Sequence, residues 1–297
     1  PKRNIKQKLT VGEGPHELVI TAEDSDGLKT TETLQFTCIK ERGTIWSAVI
    51  GINDYQSARD LKYAVNDARG FAAYLTDQVG VPRDHVFLLT DAEASKTKIE
   101  SLLGTQLKRA ASEDDSVIIF YAGHGAVETD PSNPDGDGFE KYLLPYDAQL
   151  DDLYASSISM NDIRTIFGRI RAKRLIFISD TCYSGSAGGR TLLTAKSRAN
   201  LSDRFMDRIS HGKGRVISSS CSANEVSKED DALGHGIFSY YLLEGLRGKA
   251  DQDGDGIITV DELFAFLSRT VPGASGQDQH PVKKGEMEGE LVIGRSQ

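Results

Sequence analysis

Two apolar runs in this sequence each end in a residue that can take part in catalysis. The first is SVIIFYAGHGA, residues 116–126, and the second is RLIFISDTCYSGSA, residues 174–187. Both have the length and continuous hydrophobicity of a buried parallel strand. His124 and Cys182 directly follow the two runs, and in open α/β sheets functional groups lie beyond the carboxyl ends of the strands. The sequence therefore predicts that the two side chains meet at one edge of a sheet.

The segments around these runs alternate between strand and helix patterns. Three more apolar runs read as strands, TIWSAVIGIN (44–53), HVFLLT (85–90) and RVISSS (215–220). Segments with helical spacing of apolar residues separate or follow them, at 64–78, 95–111, 160–172, 236–248 and 260–271. This order predicts an α/β fold with a mostly parallel sheet and helices on both faces.

Residues 1–42 follow a different pattern from residues 43–297. HELVITAEDSDGLKTTETLQFTC (16–38) has two alternating runs about a Ser-Asp-Gly turn, which predicts a β-hairpin. Two strands alone cannot bury a core. The segment is therefore either the last hairpin of an immunoglobulin-like module or a β-ribbon packed on the main domain, and the second interpretation is preferred.

Composition narrows the class of protein. A net charge of −9 argues against a nucleic-acid-binding or anionic-membrane-binding surface, and the longest apolar runs are strand-sized, so no membrane span is expected. The three cysteines are too few, and odd in number, for a disulfide framework. They fit a reducing compartment or a secreted protein with a free reactive thiol, and a cytoplasmic location is favoured. Cys38 and Cys221 are interpreted as non-nucleophilic. No signal-like segment follows Pro1, so the sequence makes no prediction about targeting.

His124 and Cys182 together have the chemistry of a nucleophilic dyad. A thiol attacks as the thiolate, and a histidine with a near-neutral pKa can generate it. Gly123 and Gly125 allow a sharp turn, and the N–H groups of Gly125 and Cys182 could stabilise an oxyanion. Taken singly, a turn histidine and a small buried cysteine are the more ordinary interpretations. Their joint placement at two strand ends favours catalysis.

Five motifs in this order resemble one family of enzymes. WSAVIGINDY, LKYAVNDARGF, VIIFYAGHGA, KYLLPYDA and FISDTCYSGSA together resemble the metacaspase/orthocaspase branch of the caspase-like cysteine peptidases, over residues 44–248. The resemblance implies a caspase-haemoglobinase fold, a dyad of His124 and Cys182, and an oxyanion hole that includes Gly125. It also implies a monomer that cleaves peptides or proteins after Arg or Lys, not Asp, and no organic cofactor.

Acidic residues near the dyad fit that specificity. Asp180 precedes Cys182 by two residues, so strand alternation sends both side chains to the same side. Asp67 opens a helix beside the end of the first strand, and the resemblance implies that Asp67 and Asp180 floor the pocket for a basic side chain. Two carboxylates would bind a guanidinium bidentately and an ammonium less specifically. Glu225 is a further candidate, and each Asp could instead be a helix N-cap or lie in a solvated turn.

The segment after Cys182 is a candidate for self-processing. Residues 184–204 are rich in glycine and polar residues, as exposed nicking sites often are. A basic-specific peptidase zymogen could cut itself there, although an ordinary surface loop is an equal alternative. The candidate sites are Arg190, Lys196, Arg198 and Arg204.

The segment DQDGDGIITVDE, residues 251–262, has every key position of an EF-hand calcium loop. The alternative is an Asp-Gly turn closed by the next helix. The predicted calcium ligands are Asp251, Asp253, Asp255, the Ile257 carbonyl and Glu262, with Thr259 directly or through water.

Calcium is not predicted to act as it does in many metacaspases, where it activates through an acidic cluster near the active site. This chain has Asn161 and Asp162 where that branch tends to have two acids, and Gly189 where a further aspartate is expected. Calcium is therefore expected to stabilise the C-terminal helices without switching catalysis. The acidic loop at 130–138 is interpreted as a flexible surface loop.

The function that these patterns favour is a cysteine endopeptidase that cleaves after Arg and less readily after Lys. Two alternatives stay open. One is a catalytically silent, calcium-responsive scaffold with a protease fold, which the presence of both His124 and Cys182 disfavours. The other is a cysteine transpeptidase that uses the same dyad, which capture of the acyl-enzyme by an added amine would reveal.

Overall fold

The computed structural model describes residues 11, 14–38, 43–132, 138–181, 210, 214–220, 227–285 and 292–295. The chain divides into two compact units, residues 1–42 and 43–297. No helix in the described ranges is long and apolar enough to cross a membrane.

The first unit contains the predicted β-hairpin. Strands β1 (Gly14–Glu23) and β2 (Lys29–Cys38) pair antiparallel along their whole length. The Asp24 carboxylate closes the turn by accepting the N–H groups of Asp26 and Leu28, and Gly27 has a positive φ of 81°. The left-handed Gly27 is what a Ser-Asp-Gly turn predicts, and the accepting Asp24 directly precedes that tripeptide.

The second unit is built on a six-stranded sheet. Its strands are β3 (Ile45–Gly51), β4 (Val86–Thr90), β5 (Ser116–Ala122), β9 (Arg174–Asp180), β10 (Arg215–Ser219) and β14 (Val282–Lys284). Their spatial order is β14-β10-β9-β5-β3-β4, and every pair is parallel except β10–β14. The mostly parallel sheet is confirmed.

Short antiparallel strands lie outside this sheet. A three-stranded sheet contains β6 (Gly125–Thr129), β7 (Phe139–Leu143) and β8 (Ile158–Ser159). Two further pairs are β11 (Glu229–Asp230) with β12 (His235–Gly236), and β13 (Ile257–Thr259) with β15 (Val292–Arg295). The sequence predicts a short run at β7 but not its antiparallel partners β6 and β8, because a five-residue strand and a two-residue strand carry little periodicity.

Helices connect most of the parallel strands. They are α1 (Ala64–Tyr74), α2 (Lys96–Ser101), α3 (Leu107–Ala110), α4 (Leu153–Ser156), α5 (Met160–Arg169), α6 (Ile237–Glu244) and α7 (Val260–Ser275). Single π-helical turns extend α1, α2 and α6, at Leu75–Val79, Leu102–Gln106 and Gly245–Lys249. The Ser95 side chain makes no capping hydrogen bond at the start of α2, and the Asp147 carboxylate accepts the Lys96 N–H instead.

Alternate residues of the central strands pack on opposite faces. On one face of the sheet, Phe177 of β9 packs edge-on against Phe167 of α5 at 5.6 Å between ring centroids. On the other face, Phe120 of β5 stacks on Phe71 of α1 at 4.8 Å. Both faces are thus buried under helices, as continuous apolar strands require. The parallel pairing of β5 and β9 places their carboxyl ends side by side at one edge of the sheet.

Candidate active site

The two strands that precede the predicted dyad are neighbours. β5 and β9 pair in parallel, with Ala122 opposite Asp180. One hydrogen bond continues beyond the strand ends, from the Gly123 N–H to the Asp180 carbonyl at 3.2 Å. His124 therefore directly follows the residue that contacts the end of β9. Cys182, two residues beyond Asp180, lies outside the described residues.

Two tyrosine hydroxyls hold the main chain at His124. The His124 N–H donates to the Tyr55 hydroxyl at 2.7 Å, and the Tyr55 ring lies 4.9 Å from the imidazole. The Tyr121 hydroxyl contacts the Tyr55 hydroxyl and the carbonyls of His124 and Leu144. Gly123 leaves room for them, since a Cβ there would lie 2.6 Å from the Tyr55 oxygen. The glycine before His124 is required by this close approach.

One hydrogen bond determines the tautomer of His124. Its Nε2 lies 2.7 Å from the Arg59 carbonyl, which can only accept, so Nε2 carries the proton. In the neutral ring the lone pair is then on Nδ1. Burial lowers the pKa of His124, although the Arg59 carbonyl opposes the shift. At neutral pH the imidazole is uncharged, and Nδ1 can accept a proton.

The loop that carries Arg59 is tied down at several points. The Asn53 side-chain amide donates to the Lys62 carbonyl at 3.1 Å. The Glu229 carboxylate accepts the N–H groups of Lys62 and Tyr63, at 2.9 and 2.7 Å. These contacts link the loop to β11, and they position the carbonyl that orients His124.

A cavity of about 670 Å³ opens beside His124. Asp67 and Asp180 both line it, together with Gly123, Ala122 and Gly236. Neither acid is a helix N-cap, since Asp67 lies within α1 and Asp180 ends β9. Neither lies in a solvated turn, because only 2% of Asp67 and 7% of Asp180 is exposed. The structure thus brings His124 and the two predicted pocket acids to one cavity.

Asp67 is held by the β12 strand. One carboxylate oxygen, Oδ1, accepts from His235 Nδ1 at 2.7 Å, and the Gly236 N–H donates to Oδ2 at 3.1 Å. Burial raises the pKa of Asp67 to about 7, with a further contribution from the charge of Asp180, and the two hydrogen bonds oppose the rise. Asp67 therefore changes its charge close to neutral pH.

Asp180 is held by serine hydroxyls. Ser239 donates to its Oδ2 at 2.6 Å, and the Ser227 hydroxyl is bonded to its Oδ1. The amide of Gln279 in turn donates to the Ser227 oxygen at 3.1 Å. Burial raises the pKa of Asp180, and these hydroxyl groups oppose the rise. The two acids thus share a cavity but take their partners from different elements.

Other predicted site residues are placed less completely. Gly125 begins β6 opposite Leu143, directly after His124. The candidate pocket acid Glu225 and the self-processing candidates lie outside the described residues, as do Gly189 and Cys221. The self-processing candidates are Arg190, Lys196, Arg198 and Arg204.

The predicted cation loop brings its three aspartates together. Carboxylate oxygens of Asp251, Asp253 and Asp255 lie within 4.8 Å of one another. The Asp251 carboxylate also accepts the Gly256 N–H at 3.1 Å, and Asp253 accepts the N–H of Asp255. Three converging hard oxygen ligands fit a divalent cation such as Ca²⁺.

The remaining positions of this loop serve the helix that follows it. The Glu262 carboxylate accepts the N–H groups of Gln252 and Thr259, at 3.2 and 3.0 Å. The Thr259 side chain is the N-cap of α7, in a capping box with Glu262. Ile257 begins β13, which pairs with β15. Bidentate binding by Glu262 would therefore compete with its capping contacts.

Asn161 and Asp162 are engaged within the protein. The Asn161 amide donates to the Glu140 carboxylate at 2.6 Å. Asp162 exchanges hydrogen bonds with Ser159, the N-cap of α5. Both side chains therefore have hydrogen-bond partners within the protein, and the expectation about the family's activating cluster stays a prediction.

Several residues of the site were not predicted from the sequence. The tripeptide Gly-His-Gly occurs twice, at 123–125 and 234–236, and only the first was assigned a role. The repetition was a visible signal, because His235 and Gly236 of the second copy contact Asp67. Arg59 had no signal, since it acts through its carbonyl, which every residue type has.

Comparisons with known proteins show the family to which this chain belongs. The family model described as the caspase domain matches residues 45–291. Metacaspase-1A of Aspergillus oryzae is 30% identical over 154 residues, which are 49% of this chain and 35% of that protein. Metacaspase-1 of Meyerozyma guilliermondii is 28% identical over 146 residues, 47% of this chain and 35% of that protein. The match thus spans about a third of the length of these curated relatives.

Solved structures show a likeness in fold. A protein of Geobacter sulfurreducens matches with a TM-score of 0.60 and 17% identity, over 86% of this chain and 100% of that one. Caspase-1 from Spodoptera frugiperda matches with a TM-score of 0.56 and 13% identity, over 86% and 92% of the two chains.

Proposed function

The chain belongs to the caspase-domain family, whose members are cysteine-type peptidases, and from this premise we propose that it is a cysteine endopeptidase that cleaves after Arg and less readily after Lys. The observation that carries the proposal is the contact between His124 Nε2 and the Arg59 carbonyl. It leaves Nδ1 as the basic atom of a neutral histidine, one residue beyond the β5–β9 contact. In the sequence, Cys182 comes two residues after the end of β9, the strand that pairs with β5.

The reaction follows from these roles. His124 Nδ1 takes the proton of the Cys182 thiol, and the sulfur attacks the scissile carbonyl carbon. The N–H groups of Gly125 and Cys182 stabilise the oxyanion. As the C–N bond breaks, the imidazolium returns its proton to the leaving amine. Water, deprotonated by His124, then hydrolyses the thioester and restores the thiol.

Two buried carboxylates support the preference for a basic side chain. Asp67 and Asp180 line the cavity beside His124, and a planar guanidinium can bond to both at once. An ammonium presents one centre and forms fewer bonds in a fixed geometry, so Lys is the poorer substrate. An aspartate side chain would be repelled. Glu225 is the remaining candidate for this pocket.

The direct test compares matched fluorogenic peptides that end in Arg, Lys or Asp. We expect cleavage after Arg to exceed cleavage after Lys, and no cleavage after Asp. Cys182→Ala and His124→Ala should both abolish turnover, while the exposed Tyr154→Phe serves as the control. Cleavage after Asp would overturn the pocket assignment. No turnover by the intact or the processed chain would instead favour a silent scaffold, and products joined to an added amine would favour a transpeptidase.

We also propose that the enzyme processes itself after Arg190, Lys196, Arg198 or Arg204. The support is the basic specificity together with the glycine-rich, polar sequence of this segment. Incubation of the purified protein should yield new N-termini after one or more of these residues, identified by mass spectrometry. Cys182→Ala should stay intact, and cleavage of this variant would show a contaminating protease. Gel filtration of both forms tests the expected monomer.

The loop at 251–262 is proposed to bind one Ca²⁺. Its support is the convergence of Asp251, Asp253 and Asp255. Calorimetric titration with Ca²⁺ should give heat for the wild type and none for the double variant Asp251→Asn, Asp255→Asn, with Asp151→Asn as the control. We expect Ca²⁺ to raise the melting temperature while a chelator leaves peptide cleavage unchanged. Loss of cleavage in chelator would show that the cation activates, and absence of heat in the wild type would refute the site.

A further inference from the structure

Gly236 is a glycine at a position where the backbone does not require one. Its φ and ψ are −62° and 139°, an extended conformation that any residue adopts. It is also the N-cap of α6, where Ser, Thr, Asp or Asn would stabilise the helix better through a side-chain hydrogen bond. The reason for glycine must therefore be the space beside its Cα.

That space lies between the two pocket acids. A Cβ on Gly236 would lie 2.8 Å from Asp180 Oδ2 and 3.0 Å from Asp67 Oδ2, closer than a carbon and an oxygen pack. The two oxygens come from different elements, β9 and α1, and face one gap above the Gly236 Cα. A methyl group at this position would fill the gap.

The gap is chemically suited to a cation. Among the described residues, the one basic side chain that bonds to either acid is His235, which contacts the other oxygen of Asp67. The remaining partners that the described residues supply are neutral: the hydroxyls of Ser220, Ser227 and Ser239 and the N–H groups of Gly236 and Ser239. Two buried carboxylates that face each other repel, so a positive group brought by a ligand is favoured between them.

We propose that Gly236 is a specificity-determining residue, because its missing side chain keeps open the gap in which the substrate's basic side chain lies between Asp67 and Asp180. The inference rests on the proposed function, since it requires these acids to receive that side chain. His235 and the Gly236 N–H act beside it as positioning groups. They hold the Asp67 carboxylate with Oδ2 turned to the gap.

The test uses Gly236→Ala and Gly236→Ser, with Gly168→Ala as a matched control in α5, where nothing lies within 4 Å of the added Cβ. Peptides that end in Arg are compared with peptides that end in citrulline, which has the same shape without the charge. Alkylation of Cys182 by iodoacetamide reports on the nucleophile without needing the pocket. Thermal melting reports on the fold.

We expect the advantage of Arg over citrulline in kcat/KM to fall at least about 100-fold in both Gly236 variants, because the buried acids lose their cationic partner. The alkylation rate and the melting temperature should stay close to those of the wild type. Gly236→Ser should melt no lower than Gly236→Ala, since its hydroxyl can cap α6. Gly168→Ala should keep the full advantage.

The inference is overturned if the wild type prefers Arg and Gly236→Ala keeps that preference, a result that leaves the proposed function intact. It is also overturned if both variants lose alkylation and melt far below the wild type, since Gly236 would then be needed for the fold. A wild type that cuts no better after Arg than after citrulline would refute the proposed function itself.

Discussion

Tyr55 shows how the geometry of the candidate active site depends on a side chain beside His124. Its hydroxyl accepts the His124 N–H at 2.7 Å, and its ring packs against the imidazole. Without that acceptor a buried N–H would lose its partner, which costs about 1–3 kcal/mol. The contact therefore positions His124 through its main chain.

Tyr55→Phe should lower kcat about tenfold with little change in KM, because the ring stays and the histidine loses its fixed geometry. Steady-state kinetics on an Arg peptide test this, with Tyr154→Phe as the control. A raised KM with unchanged kcat would show that Tyr55 binds substrate instead.

Asp67 links stability to pH. Its pKa is about 7 in the folded protein and 3.8 for an exposed aspartate, so between these values the folded state binds the additional proton. The contribution of this proton to the free energy of unfolding is fully present below about pH 4. It is lost as the pH rises through 7. Asp67→Asn should therefore stabilise the protein at pH 8 by about 1–4 kcal/mol and by much less at pH 4. Urea unfolding at both pH values tests this, and an equal effect at the two values would contradict it.

Activity should also depend on the ionisation of Asp67, but it should rise with pH where the stability falls. Only ionised Asp67 attracts a basic side chain, so kcat/KM for an Arg peptide should rise with pH through about 7. His124 does not account for this limb, since burial lowers its pKa. In Asp67→Asn, the residual activity should rise at a lower pH. An unchanged profile in that variant would assign the limb to another group.

At the scale of elements, the site depends on contacts between loops that the strands bring together. The loop before α1 carries the Arg59 carbonyl, and the Glu229 carboxylate at β11 accepts two of its N–H groups. These residues are far apart in sequence, so no local pattern predicts the pairing. The parallel strands, by contrast, were predictable because burial on both faces demands continuous apolar runs.

Glu229→Ala should lower kcat/KM about tenfold, because the loop that orients His124 loses its anchor. Glu229→Gln should keep most of the activity, since an amide oxygen still accepts the two N–H groups. Kinetics of the pair separate the hydrogen bond from the charge. Equal losses in both variants would show that the negative charge, and not the anchoring, matters.

At the scale of the whole molecule, one sheet supports both the core and the active site. Phe120 is fully buried in β5 and stacks on Phe71 of α1, only four residues from His124. The strand that anchors the catalytic corner therefore also carries the packing of one face. Loss of that packing should be felt across residues 43–297.

Phe120→Ala should lower the free energy of unfolding by about 3–5 kcal/mol, through lost burial and the cavity left behind. Leu88→Ala on the edge strand β4, where the side chain is 37% exposed, is the control and should cost far less. Urea unfolding followed by circular dichroism tests both. Similar costs for the two variants would contradict a core centred on β5.

The sequence by itself determined the long parallel strands, most of the helices and the edge of the sheet at which His124 and the end of β9 lie, because these follow from hydrophobic period and from the polarity of parallel strands. Asp67 was identifiable because it matched a motif. Only the tertiary structure decided that Asp67 faces Asp180 across Gly236, that the Arg59 carbonyl holds Nε2, and that His235 and Glu229 contact residues of the α1 region. Each of these depends on a distance of a few ångströms between segments far apart in the chain, and periodicity describes only the face on which a residue lies.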